Sequence, residues 1–212
     1  MQGSTFCSKR LITAHPGRMI YPWQSYLDQY VRAADILFKS VGDGSYCVDT
    51  LVHPLMYLVS HSIELGLKLC IYDLQRTLKK SPSKENTHKL RELKGQYLDL
   101  RNEFIEHCDK EGINRSDFDA DALKRSLEEL ISGKDNPFFP GLSYIDKQSQ
   151  KFRYPCVKAK TSDKDSTKVD KPSFSWTDKL NLEEVWKLYK DAMTLLQCEP
   201  MVIGDIIGIH DE

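Results

Sequence analysis

The chain has 212 residues, 40% of them hydrophobic and 29% charged, with a formal net charge of -1. That length can bury a real core as one large domain or two small ones, and the composition is that of a globular chain. The near-neutral balance excludes an overall basic field for nucleic acid, and no apolar run approaches the ~20 residues that cross a bilayer.

The opening "MQGSTFCSKR" lacks the charged-then-apolar order of a signal peptide. Six cysteines (Cys7, Cys47, Cys70, Cys108, Cys156 and Cys198) are scattered without a C-x-x-C pair, which argues against structural zinc. Reduced thiols in a cytoplasm are expected, with no metal and no cofactor.

Residues 1–21 show no sustained period and contain the turn signal His15-Pro16-Gly17, so an extended arm is expected. The pattern from 22 to 199 is that of a helical bundle. Trp23, Tyr26, Leu27, Tyr30, Val31, Ala34, Leu37, Phe38 and Val41 recur at three and four, predicting a first helix opened by Pro22 and ended by "GDGS". A second helix is expected from about Pro54 to about Leu78, apolar around most of its circumference and therefore central. After the polar "KKSPSKEN", Asn86 or Thr87 stands where a cap would open a third helix through Leu90, Leu93, Tyr97, Leu100, Phe104 and Ile105. Gly95 is the position where that helix would break.

Beyond the connector "EGINRSD", Ser116 and Asp119 form a capping-box pattern ahead of Ala122, Leu123, Leu127, Leu130 and Ile131. Residues 133–176 read as a long irregular insertion with a solvated lysine-rich run and a short strand pair from "KFRYPCV" and "SFSW". Asn181, with Glu184 three residues on, caps a last helix through Leu182, Val185, Trp186, Leu188, Tyr189, Ala192, Leu195 and Leu196. Residues 200–212 are apolar but interrupted by glycines, and are expected as a tail that adds an edge strand or docks into a partner. Five helical segments and one insertion predict an all-α, antiparallel up-and-down bundle.

One feature of the second helix carries chemistry. His53, Tyr57, His61, Glu64 and Lys68 are spaced by four, four, three and four, which aligns them in one stripe of an otherwise apolar helix. Such a stripe is either a wet seam steadied by a surface Glu64–Lys68 pair or a polar groove whose charges find partners on a neighbouring helix. His88, Lys89 and Arg91 are the candidate partners.

"HSIELGLKLCI", then a polar loop and "THKLREL", resembles the paired-helix signature of the HEPN superfamily (higher eukaryotes and prokaryotes nucleotide-binding domains). The resemblance covers roughly residues 22–108, and "FRYP" and the final helix continue it. It implies a four- or five-helix bundle that commonly dimerises. Family members include metal-independent ribonucleases of toxin, antiphage and RNA-processing systems, and non-catalytic modules that bind nucleotides or partner proteins. A toxin would bring an antitoxin partner. The ribonucleases carry an Arg, a polar residue and a His four to six positions later, and "RNEFIEH" provides Arg101, Asn102 and His107.

In the catalytic reading His107 serves as general acid or base on a ribose hydroxyl, Arg101 holds the scissile phosphate, and Asn102 orients either group. On a regular helix Arg101 and His107 stand about 120° apart, so one site requires a helix end or a two-fold mate. The other reading makes Arg101 a solvated helix residue and His107 a cation near a helix C-terminus. In the binding reading, His61, Glu64, Lys68 and His88 line the ligand groove. A third possibility is a helical scaffold that assembles through its tail and aromatic first helix. "DFDAD" at 117–121 would chelate a cation or serve as a helix start, and Lys79, Lys80, Lys84, Lys89 and Arg91 would form a local RNA-facing patch or a solvated loop.

Overall fold

The computed structural model describes residues 23–44, 46–81, 87–114, 121–132, 156–157, 171–172 and 180–208. Five helices form an all-α bundle: α1 (Trp23–Gly42), α2 (Val48–Thr77), α3 (Leu90–Glu111), α4 (Asp121–Ser132) and α5 (Leu182–Ile207). Between α4 and α5, the two-residue strands β1 (Cys156–Val157) and β2 (Lys171–Pro172) pair antiparallel, Cys156 opposite Pro172. The first strand falls within "KFRYPCV"; the second lies just ahead of "SFSW", which is outside the described residues. So are the 1–21 arm, Pro22, Asn86 and the Ser116–Asp119 box.

α2 is the central rod and packs against α1, α3 and α5. Its core face includes Leu55, Met56, Val59, Ile63, Leu67, Cys70 and Leu74, all essentially without solvent exposure. It begins at Val48 rather than at Pro54, which lies inside it. Thr50 closes the first turn by donating its hydroxyl to the Cys47 carbonyl at 2.7 Å, and Asp49 complements the N-terminal dipole. Pro54 removes the donor for the Thr50 carbonyl, but both residues are exposed and water can take its place.

Gly66 sets the distance between α2 and α5. A Cβ built there would lie 2.9 Å from the Leu196 Cβ, so only glycine admits this approach. The same crossing resolves a second proline. Pro200 lies inside α5 and cannot donate to the Leu196 carbonyl one turn back; the buried Cys70 thiol supplies the bond at 3.4 Å.

Helix directions differ from the expected alternation at one step. α1 opposes α2, as the short 43–47 connection requires. Along α2 and α3, however, the contacts Glu64–His88 and Lys80–Glu103 advance together, so these helices run parallel. The Ser62–Tyr189 and Cys70–Leu196 contacts give α5 the direction of α2 as well. Residues 78–89, between the two helices, are enough chain to reach from the end of α2 back to its middle. Connection length predicts antiparallel neighbours only when the linker is too short to make that return.

The ends of α3 and α5 also differ from expectation. α3 passes unbroken through Gly95, and its N-cap is Lys89, which makes no side-chain cap bond. Thr87 instead accepts the Lys89 N–H at 3.2 Å. Gly112, at φ 68, ends α3 in the left-handed conformation that glycine adopts without strain. Asn181 caps α5 as anticipated, accepting the Glu184 N–H at 3.2 Å. The expected tail is not an edge strand: α5 continues through Pro200 and Gly204 to Ile207, because Val202, Ile203 and Ile206 keep helical spacing and Ile203 is buried.

Candidate functional site

The stripe on α2 is a paired charge cluster spanning two parts of the chain. Glu64 is 2% exposed, and a charge at that depth is tolerated only with partners. Lys68, one turn on, donates to Glu64 Oε1 at 2.9 Å. His88, just ahead of α3, brings Nδ1 to 2.8 Å from the same oxygen. The parallel return of the chain makes this meeting possible, since it sets the start of α3 beside the middle of α2. His61 Nδ1 lies 3.9 Å from Glu64 Oε2, beyond hydrogen-bond range.

Burial by itself would raise the Glu64 carboxyl. The pull of His61, Lys68 and His88 outweighs it and holds the group down at about 2. The cluster still reaches solvent, because Lys68 and His61 are each 17% exposed and His88 is 60% exposed. Aromatic rings from α1 and α2 flank His61. Tyr30 meets His61 edge-on at 4.5 Å between centroids, Tyr57 stacks on it at 5.7 Å, and the Tyr26 hydroxyl lies 3.2 Å from that of Tyr30. His53 is exposed at the start of the stripe. The cluster thus joins a buried anion, a lysine, two imidazoles and a row of tyrosines, groups suited to phosphate and ring contacts.

Of the other expected partners, Lys89 pairs with Glu92 at 2.6 Å and Arg91 is exposed. Lys80 pairs with Glu103. The proposed basic patch is thus partly neutralised by neighbouring carboxylates. Lys84 and Arg153 lie outside the described residues, as does "DFDAD" apart from the backbone of Asp121. Among the described residues no group of histidine, cysteine and carboxylate side chains is arranged to hold a metal ion.

Arg101 occupies a different environment from the one a catalytic role requires. It is buried, and its Nε lies 3.3 Å from Oε1 of Glu199 on α5. Tyr97, one turn earlier on α3, donates its hydroxyl to the other Glu199 oxygen. Burial pushes the Glu199 carboxyl up, against the opposing pull of Tyr97, Arg101 and Lys124. Asn102 is exposed and His107 half-buried. Because α3 is unbroken from Leu90 to Glu111, Arg101 and His107 keep their divergence of about 120°. The solvent face around them carries Asp99, Glu103, Glu106 and Asp109 with Lys110 among them, and although Lys80 pairs with Glu103 the face stays net negative, which is unfavourable to a polyanion. The expected grouping of Arg101, Asn102 and His107 is therefore not assembled within one chain: the guanidinium faces the core and the acidic face turns outward.

Glu199, Tyr97 and Tyr30 were not singled out by pattern. Glu199 had a readable sign, a carboxylate beside a proline in an apolar run. Tyr97 and Tyr30 occupy ordinary core spacing, and nothing in the sequence separates them from other core aromatics. Among the described residues no helix is long and apolar enough to cross a membrane. Cys47, Cys70, Cys108 and Cys198 form no disulfide. No family model, curated protein or solved structure matches the chain.

Proposed function

We propose that this chain is a non-catalytic, HEPN-like module that binds a nucleotide at the Glu64 cluster. The observation that carries this reading is the contrast between the two candidate sites. The ionisable groups of the stripe converge and reach solvent, while the arginine needed for RNA cleavage is buried against Glu199. In this reading Lys68 and His88 contact phosphate oxygens, the exposed Tyr26 ring offers a face to the base, and Glu64 holds Lys68 and His88 in position. A cytoplasmic homodimer belongs to the same proposal, and a monomeric mass in sedimentation would remove the dimer from it.

The test is calorimetric titration of the four ribonucleoside triphosphates, one at a time, into wild type and Lys68→Met. Binding that weakens about tenfold or more in the variant, a loss of about 1.4 kcal/mol, supports the reading. Absence of binding by all four rejects it. RNA cleavage by the wild-type protein that disappears in both Arg101→Ala and His107→Ala would replace it with the nuclease reading.

A further inference from the structure

We infer, resting on the binding reading above, that the Glu64 cluster is the centre of a two-base site. Tyr72 carries the second base, so the ligand is a pair of nucleosides joined through phosphate.

Tyr72 stands four positions after Lys68, as Lys68 stands four after Glu64, and so extends the stripe by one more turn. A helical side chain leans over the turn that precedes it, which brings the Tyr72 ring toward the Lys68 ammonium. The ring is 50% exposed, although α2 is the central rod of the bundle.

The other platform comes from α1. Its register against α2 is set at one end by the 43–47 connection, which joins Gly42 to Val48, and along the helices by the Tyr30–His61 contact. Seven positions back from Tyr30 and seven on from His61, Trp23 comes level with Lys68. By the same count Tyr26 comes level with Leu65. Trp23 and Tyr30 are two turns apart and share a face of α1. The rings of Trp23 and Tyr26 are exposed. Among the described residues the exposed aromatic side chains are Trp23, Tyr26, Tyr46 and Tyr72, and only Tyr46 lies away from the cluster, in the connection at the far end. Single exposed rings are ordinary on a protein surface. Three around one charged cluster make a stacking surface for bases.

Spacing sets the size of the ligand. Tyr26 is level with a point seven residues before Tyr72, about 10 Å along the helix axis, too far for one base to touch both rings. Cationic groups suited to phosphate lie between them. The Lys68 ammonium has three donors, of which one goes to Glu64 Oε1. His88 is mostly exposed, and Arg91, three positions after it, is exposed too. Ring, cation and ring thus follow the order of base, phosphate and base. Further along, Lys80 is paired with Glu103, and Lys89 with Glu92. Two platforms around one cationic centre match two bases and the linkage between them.

The experiment measures calorimetric affinities for four 5′-phosphorylated homodinucleotides (pApA, pCpC, pGpG and pUpU) and for the matching triphosphates, in wild type, Tyr72→Ala and Tyr72→Phe. For the favoured base, the ratio of dinucleotide to triphosphate affinity is expected to fall about tenfold or more in Tyr72→Ala, the loss of one stacked base. Tyr72→Phe keeps a ring and is expected to keep the ratio. An unchanged ratio in Tyr72→Ala overturns the second platform while leaving the binding reading in place, as does a ratio lowered equally in Tyr72→Phe. No binding of any of the eight probes by wild type overturns both. A ten-nucleotide strand of the favoured base then separates the two sources of such a unit. Tighter binding per dinucleotide step than the free dinucleotide supports a two-base site that reads a strand, and equal or weaker binding supports one that takes a free dinucleotide.

Discussion

Glu64 and Glu199 are buried to nearly the same depth, at 2% and 4% relative exposure, yet their carboxyls are driven in opposite directions. Glu64 sits at the edge of the bundle, where Lys68 and two imidazoles converge on it and outweigh burial. Glu199 lies on α5 against α3, where Tyr97 and Arg101 oppose its desolvation without overcoming it. Burial alone therefore does not say what an ionisable group is for. The number and direction of its partners, and whether they lead to water, separate a solvent-reaching cluster from an interior pin. Arg101 and Lys68 are both basic residues paired with a buried glutamate, but only Lys68 belongs to a cluster with a mostly exposed member.

The interior half of this comparison breaks most severely. Glu199→Ala leaves the Arg101 charge buried without its carboxylate, and urea unfolding is expected to show a loss of about 3–5 kcal/mol. The double change Arg101→Met/Glu199→Leu should recover most of it, because matched apolar groups replace a buried pair at little net cost. A single variant as stable as wild type would show that the pair is not the pin described here.

Acid separates the two carboxylates by sign. Glu64 is lowered from 4.5 to about 2, so its contribution of about 3 kcal/mol is present above the unfolded value and is lost as pH falls through about 2. Glu199 is raised, so its contribution is full below the unfolded value and declines as pH rises through the raised one. Denaturation measured from pH 5 to pH 2 should therefore flatten in Glu64→Gln. An unchanged slope in that variant would contradict the charge pairing around Glu64.

The crossing that joins the two regions gives a smaller effect. Gly66→Ala drives a methyl group to 2.9 Å from Leu196 Cβ, and the melting temperature should fall with a loss of about 1–3 kcal/mol. A neutral result would mean that α2 and α5 separate without cost. Asn181→Ala lies in neither region and serves as the reference, removing one cap bond at an expected cost of about 1 kcal/mol in the same melting series.

The bundle itself was readable from apolar spacing: α1, the body of α2, α3 and the Asn181 cap all follow from period and local chemistry. The start of α2 and the end of α5 were not, since Pro54 and Pro200 resemble boundaries until one sees the exposure of the first and the Cys70 thiol beside the second. The parallel step between α2 and α3 was also hidden, because helix periodicity carries no direction and the linker admits either course. At the candidate site, the convergence of Glu64, Lys68 and His88 could be anticipated from a charged stripe in a buried helix, which needs partners from a neighbour. The burial of Arg101 could not, because its partner Glu199 is 98 positions away and no local signal pairs them.

The most direct measurement of the central claim is a two-dimensional amide spectrum of the protein recorded during addition of a ribonucleoside triphosphate. The account predicts shifts concentrated at residues 57–68 and around His88, with residues 97–107 of α3 unmoved. Shifts centred on Arg101 and His107, with the stripe silent, would contradict it.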